Sequence, residues 1–428
     1  MKLLIKNGHI IDAKTGLNEV NDLLVTDGYI TEIASNIDED GCEIIDAKGK
    51  YVLPGLVDAH CHLRDPGFEY KEDIESGTRS AAMGGFTSIA CMPNTNPVAD
   101  SESVIKYIQN KARQDGYVNV YPIGAISKGL KGEELAEIGE LKFAGAVAIS
   151  DDGKPVKSSS LMKKALQYAS MFDMTVISHC EDLDLAEDGV MNEGYTSTIM
   201  GLKGIPAAAE EAMVSRELIL SEYTGVPIHI AHVSTALSVD MIRNAKKRGV
   251  KVTCETCPHY FSLTEEACEG YNTNAKVNPP LRTAADVQAI IEGIADDTID
   301  IIATDHAPHH ADEKNIEFSL AANGFVGFET ALSLSVTHLV KPGIISIVKL
   351  VEKMSLNPSK ILSINKGTLE IGSTADITII DINEKITVDS GKFQSKSKNS
   401  PFGGMELTGS VWGTIVSGKV IVSNRILL

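Results

Sequence analysis

The sequence predicts an α/β protein: a (β/α)8 TIM-type barrel with a small β-sandwich domain formed by the two chain ends. Three observations predict it. From about residue 55, short apolar runs alternate with longer segments of helical period, and eight such runs follow one another. Before that point, and again after about residue 366, period-two strands with turn glycines replace this rhythm. Histidines and aspartates recur just past the apolar runs, where a barrel of this kind gathers its catalytic groups. The boundaries that follow are 1–54 and 366–428 for the two parts of the small β domain, and 55–365 for the barrel.

Residues 1–54 read as short strands, LLIKNGHII, DLLVTDGYITEIA and CEIIDAKGKYVLP, with Asn7-Gly8 and Asp27-Gly28 as hairpin signals. The eight runs are 55–59, 86–91, 118–123, 146–149, 175–178, 228–231, 251–255 and 299–303. Between them lie helical patterns over 71–83, 100–114, 159–171, 207–223, 236–247 and 284–295. Pro206 and Ser158-Ser159 are helix starts, and Gly84, Gly225 and Gly249 are stops. The pattern over 131–143 is interrupted by Gly132 and Gly139. A helical tail over 345–363 precedes GTLEIGSTADITIID and GSVWGTIVSGKVIVSN, which read as strands. The Ser/Lys-rich stretch 390–399 reads as an exposed loop.

A chain of 428 residues with net charge −19 is too acidic for a nucleic-acid or anionic-membrane surface, though a local cationic pocket for a small anion is compatible with it. No apolar run approaches a membrane span, and the N-terminus is no signal peptide. Seven scattered cysteines suit reduced thiols in a cytoplasmic enzyme. The lone Cys254/Cys257 pair reads as two core thiols rather than a zinc knuckle.

The strand ends carry the chemistry. Run one ends in His60-Cys61-His62, then Arg64; on a strand, residues two apart share a face, so both imidazoles can meet one ion. Later runs are followed by Asn94, Asp151-Asp152, His179, His232 and Asp305. Singly, each has an ordinary explanation as a core histidine, a turn or a helix cap. His229 reads as a core group or a support for the site, and His9 and His338 lie outside the strand ends. Together, four histidines and two aspartates at five strand ends imply metal. One zinc needs three protein ligands, so six candidates suit two ions sharing a carboxylate and a hydroxide. The implied chemistry is hydrolysis of an amide-like bond, or its reverse, with an aspartate moving the proton.

These motifs carry a family likeness. DAHCHLRDPG, MPNT, SDDGKPV, SHCED, AHVST, ETCPHY, VNPPLR, TDHAPH, GFVGFET and GTLEIGSTADITIID together make the chain resemble the amidohydrolase superfamily, and within it the class I (long-chain) dihydroorotases. The resemblance implies zinc-dependent, reversible interconversion of (S)-dihydroorotate and N-carbamoyl-L-aspartate in pyrimidine biosynthesis. It implies that His60, His62 and Asp305 hold one Zn2+, that His179 and His232 hold a second, and that Asp152 bridges them. Asp151 is the competing bridge. Asp305 is implied as general acid and base. His62, Arg64, Asn94, Asn278, His309, Asn323 and Gly324 are implied as substrate contacts, with His310 competing with His309 in the mobile-looking loop HAPHHADEKN. The Ala322-Asn323-Gly324 element departs from a Pro-Phe-Gly-like pattern in the family, which a backbone contact tolerates. A homodimer and association with aspartate transcarbamoylase are further expectations. The competing functions are another cyclic amidase, such as a hydantoinase or allantoinase, and a scaffold without activity.

Overall fold

The computed structural model describes residues 2–428. Eight short parallel strands lie where the apolar runs predict them: Leu56–Cys61, Phe86–Cys91, Asn119–Pro122, Ala148–Ser150, Thr175–Ser178, Ile228–Ile230, Val252–Thr256 and Ile301–Ile302. The first three pair in order as one sheet, and the other five pair in order as a second. Single parallel bridges, Gly124 to Ile149 and Cys61 to His306, link the two sheets. The fold is therefore α/β with parallel sheets. Val57, Ala59, Ala90, Ile123, Ala148, Ile177, Ala231 and Ile301 form one apolar cluster, so seven of these strands or their ends contribute to a shared interior.

Helices Ile74–Met83, Glu102–Asp115, Ser159–Ser170, Ala208–Thr224, Ala236–Lys247 and Ala284–Ala295 occupy the intervals. Four of their starts are fixed by side-chain caps. Asp73 accepts from Ser76 N, Ser158 from Leu161 N, Thr235 from Ser238 N and Thr283 from Asp286 N, each satisfying a free first-turn donor. The 131–143 pattern yields only Ile138–Ala144, because Gly132 adopts φ +68° and the chain before it turns. The helical tail is present as Ile347–Val351, Glu352–Leu356 and Asn357–Ile361.

The chain ends meet in one nine-stranded sheet. Its seam is the antiparallel pairing of Tyr51–Pro54 with Ile377–Ile380, across more than three hundred residues of sequence. Leu3, Ile5, Leu23, Val25, Val52, Ile377, Ile379 and Ile415 pack as its core.

Three expectations are corrected. Asn7-Gly8 is not a hairpin: it is a bulge inside the strand Lys2–Asp12, where the pairing with Leu17–Thr26 slips between Ile5 and Gly8. Asn7 stands at φ +59° and its N–H donates to Asp22, which holds the kink. Asp27-Gly28 does turn a hairpin, with both residues at positive φ. GTLEIGSTADITIID is strand only from Ile377, because its earlier part is a turn-rich connection in which Gly367 and Gly372 adopt positive φ.

The stretch 390–399 is not an exposed loop. From 395 to 399 its residues alternate: Ser395, Ser397 and Asn399 are buried while Lys396 and Lys398 face solvent. Ser395 Oγ and Lys396 N donate to the buried Glu72 carboxylate, and Ser397 Oγ bonds the backbone of His309. Cys254 and Cys257 are both buried free thiols. Among the described residues, no helix is long and apolar enough to cross a membrane.

Candidate metal and substrate site

His60 and His62 converge through a local irregularity. Asp58 pairs with Ile89 but Cys61 pairs with Cys91, so three residues on this strand oppose two on its neighbour. The extra residue changes the alternation after Val57 and Ala59, which pack inside. The two rings lie 5.5 Å apart, centroid to centroid.

Asp152 sits between the histidines. Its Oδ1 is 3.4 Å from His60 Nε2 and 3.5 Å from both His179 Nδ1 and His232 Nε2; its Oδ2 is 3.5 Å from His62 Nε2. Asp305 Oδ1 is 3.2 Å from His62 Nε2 and 3.6 Å from His60 Nε2. Two triads, His60–Asp152–His232 and His60–His62–Asp305, have ligand atoms within 4.8 Å of one another. His179 joins the same cluster, with Nδ1 2.7 Å from His232 Nε2. Asp151 points elsewhere: its Oδ1 accepts from Ile126 N and Ser127 N, and its carboxylate also takes the Ser127 hydroxyl.

The residues fit a metal centre. His60 Nε2 and Asp152 Oδ1 are buried without a hydrogen-bond partner, although a buried polar atom ordinarily has one. The donor set, imidazole nitrogens with carboxylate oxygens, is that of zinc-like ions. Burial disfavours the charge on Asp152 and Asp305, yet the surrounding imidazoles hold both carboxyls below the usual range, Asp152 well below it. Three of the positions are strained for non-glycine residues, Arg64 at φ +61°, His232 at +31° and Asp305 at +47°.

Two carboxylates that sequence reasoning passed over orient these imidazoles. Glu255 Oε1 lies 2.5 Å from His60 Nδ1, and its Oε2 is 3.2 Å from His229 Nε2. An imidazole that donates one N–H to a carboxylate presents its other nitrogen as a ligand, here Nε2 of His60. Glu181 Oε2 lies 3.2 Å from His179 Nε2 and accepts from Asn278 Nδ2. The sequence signal for Glu255 was its place near the end of the seventh run, three residues after Val252 begins that strand.

Beside the cluster is a cavity of about 210 Å³. His62, Arg64, Asn94, Asn278, His309, Asn323 and Gly324 all line it; His310 does not. Asn94 Oδ1 is 2.9 Å from His62 Nδ1, so the Asn94 carbonyl is occupied in fixing that ring and its amide is left for a ligand. Arg64 Nε donates to Pro308 O, which sets the plane of the guanidinium. Asn278 is held through Glu181, described above. His309 Nε2 is 2.7 Å from Asn323 O, an acceptor only, so that nitrogen carries the proton. Burial and the Arg64 charge push His309 down to about 3. The HAPHHADEKN segment is tied down here, with His309 N bonded to Ser397 Oγ and His310 capping the short helix Ala311–Lys314.

A family model described as Dihydro-orotase-like matches residues 49–238. A curated relative from Acetivibrio thermocellus, named Dihydroorotase, is 74% identical over 426 residues, covering 100% of both chains. Another of that name, from Ruminiclostridium cellulolyticum, is 70% identical over 428 residues with the same coverage. Among solved structures, L-hydantoinase (dihydropyrimidinase) from Arthrobacter aurescens superposes with TM-score 0.90 at 29% identity, covering 100% of this chain and 97% of that one. D-hydantoinase (dihydropyrimidinase) from Thermus sp. gives TM-score 0.85 at 27% identity, covering 100% and 96%.

Proposed function

The chain belongs to the dihydroorotase family and is a cyclic-amide hydrolase of pyrimidine biosynthesis, and from that premise we propose how its residues work and which finer class it joins. The reading is a class I dihydroorotase holding two Zn2+, with the eight parallel strands closed as a (β/α)8 barrel over 55–365. Residues 1–54 and 366–428 make the small β-sandwich domain. The two bridges that link the parallel sheets support closure.

His60, His62 and Asp305 would hold one zinc, His179 and His232 the other, with Asp152 between them. When bound, such a pair lowers the pKa of water and polarises a carbonyl. The chain's own groups do the rest. Arg64 and the Asn94 amide bind the substrate carboxylate, a planar anion matched by a guanidinium. Asn278, His309 and the Asn323–Gly324 backbone fix the ring. Asp305 takes the proton of the attacking water and returns it to the ring nitrogen as its bond to the carbonyl carbon breaks. In the reverse direction Asp305 takes that nitrogen's proton, the C–N bond forms and water leaves.

The observation that carries this reading is Arg64 beside the metal-type cluster, in one cavity with the other substrate candidates. The solved hydantoinases favour a second reading, hydrolysis of hydantoins. Against it stand Arg64 and the aspartate bridge. The test is elemental analysis of purified protein alongside turnover of dihydroorotate and N-carbamoyl-L-aspartate. Two zinc per chain with turnover supports the proposal; turnover of hydantoins or allantoin alone replaces it. The reading extends to a cytoplasmic homodimer that associates with aspartate transcarbamoylase, checked by size-exclusion chromatography with and without that partner.

A further inference from the structure

Two lysines outside the described chemistry converge on one loop. Lys276 and Lys314 are each only 4% exposed. Among the described residues neither has a carboxylate partner, which is rare for a buried ammonium. Their protons go instead to backbone carbonyls. Lys276 Nζ donates to Phe318 O at 2.7 Å, Ser319 O at 3.1 Å and Ala321 O at 2.7 Å. Lys314 Nζ donates to Ala322 O at 2.7 Å, Gly324 O at 2.9 Å and Lys276 O at 3.3 Å. Two ammonium groups thus hold five of the seven carbonyls in 318–324, and His309 holds a sixth, Asn323 O.

That loop brings the Asn323–Gly324 backbone to the cavity. Gly324 N donates back to Lys276 O at 2.9 Å, and Lys276 is two residues from Asn278, which lines the same cavity. Gly324 stands at φ +119°, and a Cβ there would fall 2.6 Å from that of Ala307. The backbone is therefore pressed against the segment that carries Asp305 and His309. Such a conformation, in a loop without regular structure, needs external ties to persist. An apolar side chain would fill the same volume at lower desolvation cost, since burial pulls Lys276 down to about 8 and Lys314 down to about 7. Cations retained at such positions act through direction: three donors on each tetrahedral ammonium fix where three carbonyls lie.

We propose that Lys276 and Lys314 are positioning residues that clamp the 318–324 loop, so that the Asn323–Gly324 backbone is set for a cyclic, carboxylate-bearing substrate before it arrives. The proposal rests on the substrate site given under the proposed function. Pre-organising a binding backbone lowers KM more than it changes the bond-breaking step.

The test uses the zinc-loaded full chain, with Lys276→Met and Lys314→Met made separately. Three quantities are read: hydrogen–deuterium exchange of the 318–324 peptide without substrate, KM and kcat for dihydroorotate, and Tm. The wild-type loop is expected to exchange slowly. Each variant is expected to lose that protection and to raise KM by about 10- to 100-fold, with kcat changed by less than about threefold. A variant with lowered Tm but unchanged KM and a protected loop overturns the proposal, since a merely structural lysine behaves so. Failure of both variants to fold, or a wild-type loop exchanging as fast as open chain, also overturns it. Exchange is read without turnover. A wild type inert toward dihydroorotate would sink the substrate assignment and leave the clamp to be judged by exchange alone.

Discussion

Asp152 and Asp151 are adjacent acids with opposite surroundings, which makes them a controlled pair. Asp152 faces four histidines, whereas Asp151 caps Ile126 and Ser127. Asp152→Ala is expected to remove most bound metal, while Asp151→Ala keeps the metal and costs about 1–2 kcal/mol of stability through the lost cap. Metal content and thermal melting on both variants check this. On the proposed reading Asp305 carries the proton, and Asp305→Asn is expected to lower kcat about 100-fold or more with most metal retained. Glu255→Gln weakens the anchor of the His60 ring, and zinc affinity should fall about 10- to 100-fold in a chelator competition. At this scale the sequence was legible where a motif places a candidate ligand beside its strand, as with His60, His62 and Asp152, which the fold brings together. Glu255 and Glu181 were not legible as partners, because their roles depend on which imidazole nitrogen each one meets across strands.

Among elements, the parallel strands and capped helices were readable because apolar runs and N-terminal Ser, Thr and Asp act within a few residues. What escaped were features decided by distant partners. Asn7-Gly8 has the composition of a turn, but Asp22 and the adjoining strands hold it as a bulge. The 395–399 strap has the composition of a solvated loop, but its alternate serines find Glu72 and His309. Glu329 is another such partner, in the first turn of the helix Phe328–Ser335 and accepting from Ser80 and from the backbone of Gln394. Burial raises Glu329 from 4.5 to about 7, against those bonds. The folded state therefore holds this proton more tightly than the unfolded chain. The resulting stability is present below about pH 4.5 and is lost as pH rises to about 7. Glu329→Gln should gain Tm over wild type across that window by a few degrees, and thermal melts at pH 4.5, 6 and 8 read the difference.

For the whole molecule, if the proposed cations sit among the buried carboxylates and imidazoles, they contribute to stability as well as chemistry. Chelation is expected to lower Tm, and the drop should scale with the logarithm of free zinc when metal is restored. The architecture was legible as a change of rhythm along the chain, and the joining of both ends was its simplest resolution. The seam between Tyr51–Pro54 and Ile377–Ile380 has a consequence for how the protein is made. During translation the early hairpins emerge with one border unpaired, and the strand that completes that border is synthesised only after all the intervening helices. A nascent chain therefore carries an adhesive margin for most of its time on the ribosome. Truncated products should clump with one another through that margin, while the finished polypeptide does not.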